Sequence, residues 1–169
     1  MGGQLHVRSQ LGKGSTFWFD IPLPVGVSPS LDTSALDTPL PQGMQVLVAE
    51  DNKVNQVVAR KVLEFLGQNV TLVANGVLAV EAVTAQQFDL VFMDIQMPEM
   101  DGFEATRRIR LLEQGTGTRV PIVAMTAHAM EGYRERCVAG GMDGYVTKPV
   151  DRKQLVQEMQ RLVRRSPRN

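Results

Sequence analysis

The chain has a single cysteine, Cys137, among its 169 residues. That excludes an internal disulfide framework and any metal centre built from several thiolates. The scarcity suits a reducing compartment, and a cytoplasmic setting is expected. No apolar run is long enough to span a bilayer, and the first residues lack the pattern of a secretory signal. This segment is therefore expected to be soluble and without direct membrane contact, while a longer parent anchored in an inner membrane stays open. Neither sign of charge is in excess, with 18 basic against 18 acidic residues, so no nucleic-acid surface is indicated. Aromatics are few, and the 43% hydrophobic share fits an ordinary soluble globular class. The length allows one well-buried domain with residues to spare.

Three regions separate along the chain. Residues 1–24 are glycine-rich and carry alternating apolar residues, Leu5 and Val7, then Phe17, Phe19 and Ile21, on either side of Gly12-Lys13-Gly14. Period-two alternation around a glycine turn predicts a β-hairpin, which is marginal alone and belongs with a larger sheet. Residues 25–43 hold Gly26, Pro29, Pro39, Pro41 and Gly43 without periodicity, the pattern of a flexible linker. From residue 44 to 165 strand and helix patterns alternate, and 166–169 form a short tail. Strands are expected at 45–49, 70–73, 90–93, 122–125 and 145–146. Between the first two, Val54, Val57, Val58, Val62, Phe65 and Leu66 recur at helical spacing as one apolar stripe ending at Gly67. Asn75 is expected to cap a helix reaching about Gln86, and a further helix runs from about Phe103 to Glu113. The apolar pattern around 132–139 is weak. Residues 155–163 again repeat at clean helical spacing. Five apolar strands alternating with helices imply a parallel sheet covered on both faces, a doubly wound α/β fold of strand order 2-1-3-4-5 counted from Gln45.

In such sheets ligands bind beyond the carboxyl ends of the strands, where the winding direction switches. Here the strand ends carry Glu50 and Asp51, Asp94, Thr126 and Lys148. Three carboxylates gathered there repel one another unless a cation neutralises them. A hard divalent ion with oxygen ligands does so, and Mg²⁺ suits a site with few carboxylates and several retained waters. Asp94 is the candidate nucleophile, since a carboxylate can accept a phosphoryl group to form an aspartyl-phosphate. Asp51, Lys148 and the Thr126 hydroxyl would help neutralise the transferred group. Thr126 also fits a capping hydroxyl at a strand-to-helix turn. Pro149 restricts Lys148, and a cis bond between them would aim the lysine into the crevice.

These residues resemble a family. Val46–Asn52, Met93–Gly102, Ala124–Ala127 and Gly144–Pro149 are similar, in order and spacing, to the four motifs of response-regulator receiver domains of hybrid sensor histidine kinases. The resemblance implies a flavodoxin-like (βα)5 fold for residues 44–165. It further implies Asp94 as phosphoacceptor, Asp51 as a direct Mg²⁺ ligand, Glu50 acting through water, and the backbone carbonyl of Gln96 as another ligand. Thr126 and Lys148 would contact the phosphoryl oxygens. Thr126 and Tyr145 would form the switch, the hydroxyl moving toward the phosphoryl group and the aromatic turning inward behind it, with half-buried packing as the plainer role of Tyr145. Gln96 and His128 stand where the family tunes the lifetime of the phosphoryl group, although His128 equally fits an exposed loop. Glu50 departs from the more frequent Asp. A Glu-Asp pair followed by Asn52 and Asn55 resembles receivers attached to hybrid kinases.

Residues 1–19, with Gly12 and Gly14, look like the end of a histidine-kinase ATP-binding domain, too short to bind nucleotide. His6 is expected to be a surface strand residue rather than a phosphorylated histidine. The implied function is a phosphorelay receiver, accepting a phosphoryl group from a histidine kinase domain and passing it to a histidine phosphotransfer domain. The parent would be a phosphotransferase, whereas this segment only catalyses transfer onto its own Asp94. A haloacid-dehalogenase-like phosphohydrolase also uses an aspartyl-phosphate but wants an Asp where Gln96 stands. A pseudo-receiver that only binds partners would not need the full set Asp51, Asp94, Thr126 and Lys148. Arg161, Arg164, Arg165 and Arg168 are expected to complement the negative pole of the last helix.

Overall fold

The computed structural model describes residues 4–20, 40–127 and 133–163. The chain divides into two compact units, Met1–Asp37 and Thr38–Asn169. Most of the expected linker, His128 and the last residues from 164 lie outside the described residues. In the first unit β1 (Gln4–Gln10) and β2 (Gly14–Asp20) pair antiparallel, with Val7 opposite Phe17 and His6 opposite Trp18. Alternation puts Leu5, Val7 and Phe17 on one face, all exposed. On the other face the rings of His6 and Trp18 stack with centroids 5.2 Å apart.

The second unit alternates β3 (Gln45–Ala49), α1 (Lys53–Phe65), β4 (Asn69–Val73), α2 (Gly76–Ala85), β5 (Leu90–Asp94), α3 (Gly102–Glu113), β6 (Ile122–Thr126), α4 (Tyr133–Ala139), β7 (Gly144–Thr147) and α5 (Arg152–Val163). The five strands form one sheet in the order β4-β3-β5-β6-β7, every pairing parallel. That is the doubly wound 2-1-3-4-5 arrangement the alternating pattern predicts. Its faces sort by strand parity. Leu47, Val91, Met93, Ile122 and Ala124 join Ala79, Ala105 and Ile109 of α2 and α3 on one side. Val46, Val48, Leu90, Phe92, Val123 and Met125 meet Ala59 and Leu63 of α1 and Leu155 and Met159 of α5 on the other. Each large side chain so buried contributes roughly 1.5–3 kcal/mol. Leu40 packs against the second cluster, and Gln68 Nε2 donates to the Pro41 carbonyl, so this packing begins ahead of β3.

Local signals explain the helix ends. Asn52, Asn75 and Asp101 cap α1, α2 and α3 by accepting from main-chain N–H groups of the first turn. At the end of α1, Gly67 takes φ 78° and donates to Glu64 O, while Gln68 N reaches Leu63 O. This paired closure needs a residue tolerant of positive φ. The stripe expected along α1 is corrected by the structure. Ala59 and Leu63 are its buried residues, with Val62 and Leu66 half-buried beside them, whereas Val54, Val57, Val58 and Phe65 are 71%, 56%, 43% and 75% exposed. The helix is rotated so that Asn55, Gln56 and Ala59 face the sheet edge. At the end of α5, Arg161 pairs with Glu158 and donates to the Asp143 carbonyl, so it is a clamp onto the start of β7 and not only a counter-charge to the helix pole.

Candidate functional site

The crossover from β3 to its two neighbours, β4 on one side and β5 on the other, leaves a crevice at the carboxyl ends of β3 and β5. Glu50 directly follows β3, its N–H donating to Val73 O of β4, and Asp94 is the last residue of β5. Oxygens from the carboxylates of Glu50, Asp51 and Asp94 all lie within 4.8 Å of one another. Glu50 is 1% and Asp94 4% exposed, while Asp51 faces solvent. Lys148 follows β7, two strands away from Asp94, and its main-chain N–H donates to Thr126 O at 2.7 Å. Its Nζ lies 2.6 Å from Glu50 Oε2 and 2.6 Å from Asp94 Oδ2. The first contact lacks hydrogen-bond angles, and Glu50 Oε2 has no hydrogen-bond partner among the described residues. The second is a charge-assisted hydrogen bond.

The remaining partners are main-chain and amide groups. Gln96 N donates to Asp94 Oδ1 at 3.2 Å, and the Gln96 side chain is exposed. Asn55 Nδ2 and Asn52 N donate to Glu50 Oε1 at 2.9 and 3.3 Å. Thr126 ends β6 between Asp94 and Lys148, with its side chain buried. Tyr145 is half-buried and packs against the core cluster that contains α2 and α3. The Lys148–Pro149 peptide bond is cis.

Burial is the largest influence on Asp94 and pushes its pKa up, joined by the charge of Glu50; Lys148 and the Gln96 amide pull it down without cancelling the rise. Burial opposes the charge of Lys148, but the hydrogen bond to Asp94 and the close negative charges of Asp94 and Glu50 together outweigh it and raise its pKa. Three carboxylates against one ammonium leave an excess of negative charge in a crevice with an exposed rim. Hard oxygen donors in that number fit a small divalent cation that keeps some of its waters.

The family described as the response regulator receiver domain matches residues 46–160. The chain belongs to that family. The sensor histidine kinase GacS of Pseudomonas protegens is 45% identical over 114 residues, covering 67% of this chain and 12% of that protein. The receiver domain of sensor histidine kinase PA1611 from Pseudomonas aeruginosa PAO1, solved with a magnesium ion coordinated in the active-site cleft, is 45% identical with a TM-score of 0.65. That match covers 72% of this chain and 98% of that one. The receiver domain of the response regulator Ssk1 of Saccharomyces cerevisiae, solved with the histidine phosphotransfer protein Ypd1, gives a TM-score of 0.68 at 31% identity. It covers 72% of this chain and 88% of that one. The chain spans 12–16% of the length of the first curated relatives it matches, which are histidine kinases.

Of the described residues that the sequence marks for the site, Glu50, Asp51, Asp94, Lys148 and the main chain of Gln96 meet in the crevice, Thr126 ends the strand between Asp94 and Lys148, and Tyr145 packs on the core instead. The sequence assigns no site role to Asn55, Gln56 or Glu99, and marks Asn75 only as a helix cap. The available signal was side-chain amides placed one turn past the acidic pair and at a helix start. Asn75 caps α2 through Oδ1 and donates through Nδ2 to Glu99 Oε1 at 2.9 Å, tying the loop after Asp94 to α2. That loop closes where Gly102 N donates to Ile95 O.

Proposed function

We propose that the receiver accepts a phosphoryl group from a phosphohistidine onto Asp94 and passes it to a histidine phosphotransfer protein. The observation that carries this reading is a buried carboxylate at the switch point, 2.6 Å from an ammonium and within 4.8 Å of two further carboxylates. An Asp94 oxygen attacks phosphorus in line with the departing imidazole nitrogen; the P–N bond breaks as the P–O bond forms, and the imidazole keeps the electron pair. Glu50, Asp51, Asp94 and the Gln96 carbonyl would hold Mg²⁺, which when bound neutralises charge on the phosphoryl oxygens. Lys148, already beside Asp94, supplies positive charge where the oxygens arrive, and Thr126 supplies a hydroxyl. Movement of Thr126 toward those oxygens, with Tyr145 turning inward behind it, would carry the signal to the surface.

Three facts support a phosphorelay setting. The curated relatives are histidine kinases, a similar receiver was solved with magnesium, and another with a phosphotransfer protein. We read the hairpin β1–β2 as the end of a kinase ATP-binding domain, 25–43 as a linker, and 44–165 as the receiver. Gln96 in place of a second Asp leaves a dehalogenase-like hydrolase unsupported. Among the described residues no helix is long and apolar enough to cross a membrane. The test is incubation with a small phosphodonor and Mg²⁺, followed by mass analysis. One alkali-labile phosphoryl group is expected on the wild type and none on Asp94→Asn; full labelling of that variant would overturn the reading.

A further inference from the structure

The first turn of an α-helix has N–H groups without intrahelical partners. A frequent solution places Glu or Gln at the third helical position, where it reaches back to accept the N–H of the capping residue. In α1 the cap is Asn52, whose Oδ1 accepts from Val54 N and Asn55 N. The third position is Asn55, and the N–H of Asn52 is met from upstream, by Glu50 Oε1. With the acceptor already supplied, the side chain at the third position has to donate. Asn55 Nδ2 does so, to the same Oε1 at 2.9 Å. The next residue, Gln56, donates through Nε2 to the Glu50 carbonyl at 2.5 Å, so Glu50 is tied to α1 at main chain and side chain. At 1% exposure, solvent has little access to reorient the carboxylate. Two donors on Oε1 leave Oε2 directed at Lys148, in a carboxylate that lies within reach of Asp51 and Asp94.

We infer that Asn55 is a positioning residue of the acidic pair: its amide fixes the orientation of the Glu50 carboxylate and thereby sets the divalent-cation affinity of the crevice. The inference deepens the metal reading proposed above and rests on it. It also accounts for the chemistry at position 55, since an acid there would set a second negative charge against Glu50. Glutamate at position 50, longer than aspartate by a methylene, spans from α1 to Lys148.

The test is calorimetric titration of the full chain with MgCl₂, without phosphodonor, for wild type, Asn55→Ala, Glu50→Ala and the double variant. Removal of a group that orients a metal-binding carboxylate typically costs 10–100-fold in affinity. Asn55→Ala should bind Mg²⁺ roughly tenfold more weakly, and in the Glu50→Ala background it should cause no further loss. Thermal denaturation in metal-free buffer separates a structural role. Unchanged Mg²⁺ affinity in Asn55→Ala, with only a lowered midpoint, would overturn the inference, as would equal losses in both backgrounds. Absence of binding by the wild type would instead remove the metal reading itself, and the inference with it.

Discussion

Asp94 is held in a condition that the proposed phosphoryl transfer uses and that stability does not. Burial raises its pKa above the ordinary 3.8, and the pull of Lys148 leaves part of that rise in place. Below the unfolded-state pKa both folded and unfolded chains carry the proton, and the group has no effect on stability. As pH rises from there through the folded-state pKa, the unfolded chain ionises first, so stability falls; above the folded-state pKa the cost is complete. Asp94→Asn removes the ionisation. In metal-free buffer at neutral pH the variant should therefore denature at a higher temperature than the wild type, with the gain shrinking as pH falls toward 3.8. Thermal melts across that range check it, and a variant less stable at neutral pH would contradict the stated balance between burial and Lys148. The raised pKa of Lys148 keeps the ammonium charged throughout that window.

The elements around Asp94 are fixed by close approaches as much as by periodicity. A Cβ on Gly102 would stand 2.2 Å from the Asp94 carbonyl oxygen, a main-chain atom that cannot swing away. Gly102→Ala should therefore cost about 3 kcal/mol, at the upper end for overpacking, and should slow labelling of Asp94. Urea denaturation with donor kinetics on the folded fraction measures both, and a variant near wild type in each would show that the loop relaxes freely. Such contacts mark the limit of what the sequence discloses. Strand ends near Ala49, Asp94 and Thr126, the last two within one residue, and the Asn75 cap are legible because apolar runs stop at polar residues of known preference. The rotation of α1 is not, because two apolar stripes run along it and only one can face the sheet. Ala59 and Leu63 take the inner position beside Asn55 and Gln56, whose amides must reach Glu50, and Val54, Val57 and Val58 are left outside. The same three-dimensional requirement hides Asn55, since a polar residue in a first helical turn is ordinarily only a cap.

At the scale of the whole receiver, the parallel sheet sends its chemistry to one edge, and α1 places an apolar surface next to it. Val54, Val57, Val58 and Phe65 lie three, four and seven residues apart, which makes them one stripe on the outer side of the helix. The stripe starts three residues beyond the acidic pair, and a contiguous exposed apolar patch beside a site is a candidate contact surface. Arg152, opening α5, lies 4.9 Å from the Phe65 ring centroid and adds a cation at its far end. On the proposed function, a phosphotransfer protein presenting its histidine to Asp94 would cover ground beside the crevice, and a helical partner could lay its own apolar side along this stripe. Central apolar anchors carry most of the energy of such contacts. Val57→Glu, at an outward position far from the buried Ala59 and Leu63, should leave labelling of Asp94 by a small phosphodonor unchanged. It should slow transfer between the receiver and a phosphotransfer protein by about tenfold, the equivalent of roughly 1.4 kcal/mol of lost contact. Equal transfer rates for wild type and variant would place the docking surface elsewhere, and a parallel loss of small-donor labelling would show that the substitution had disturbed the crevice instead.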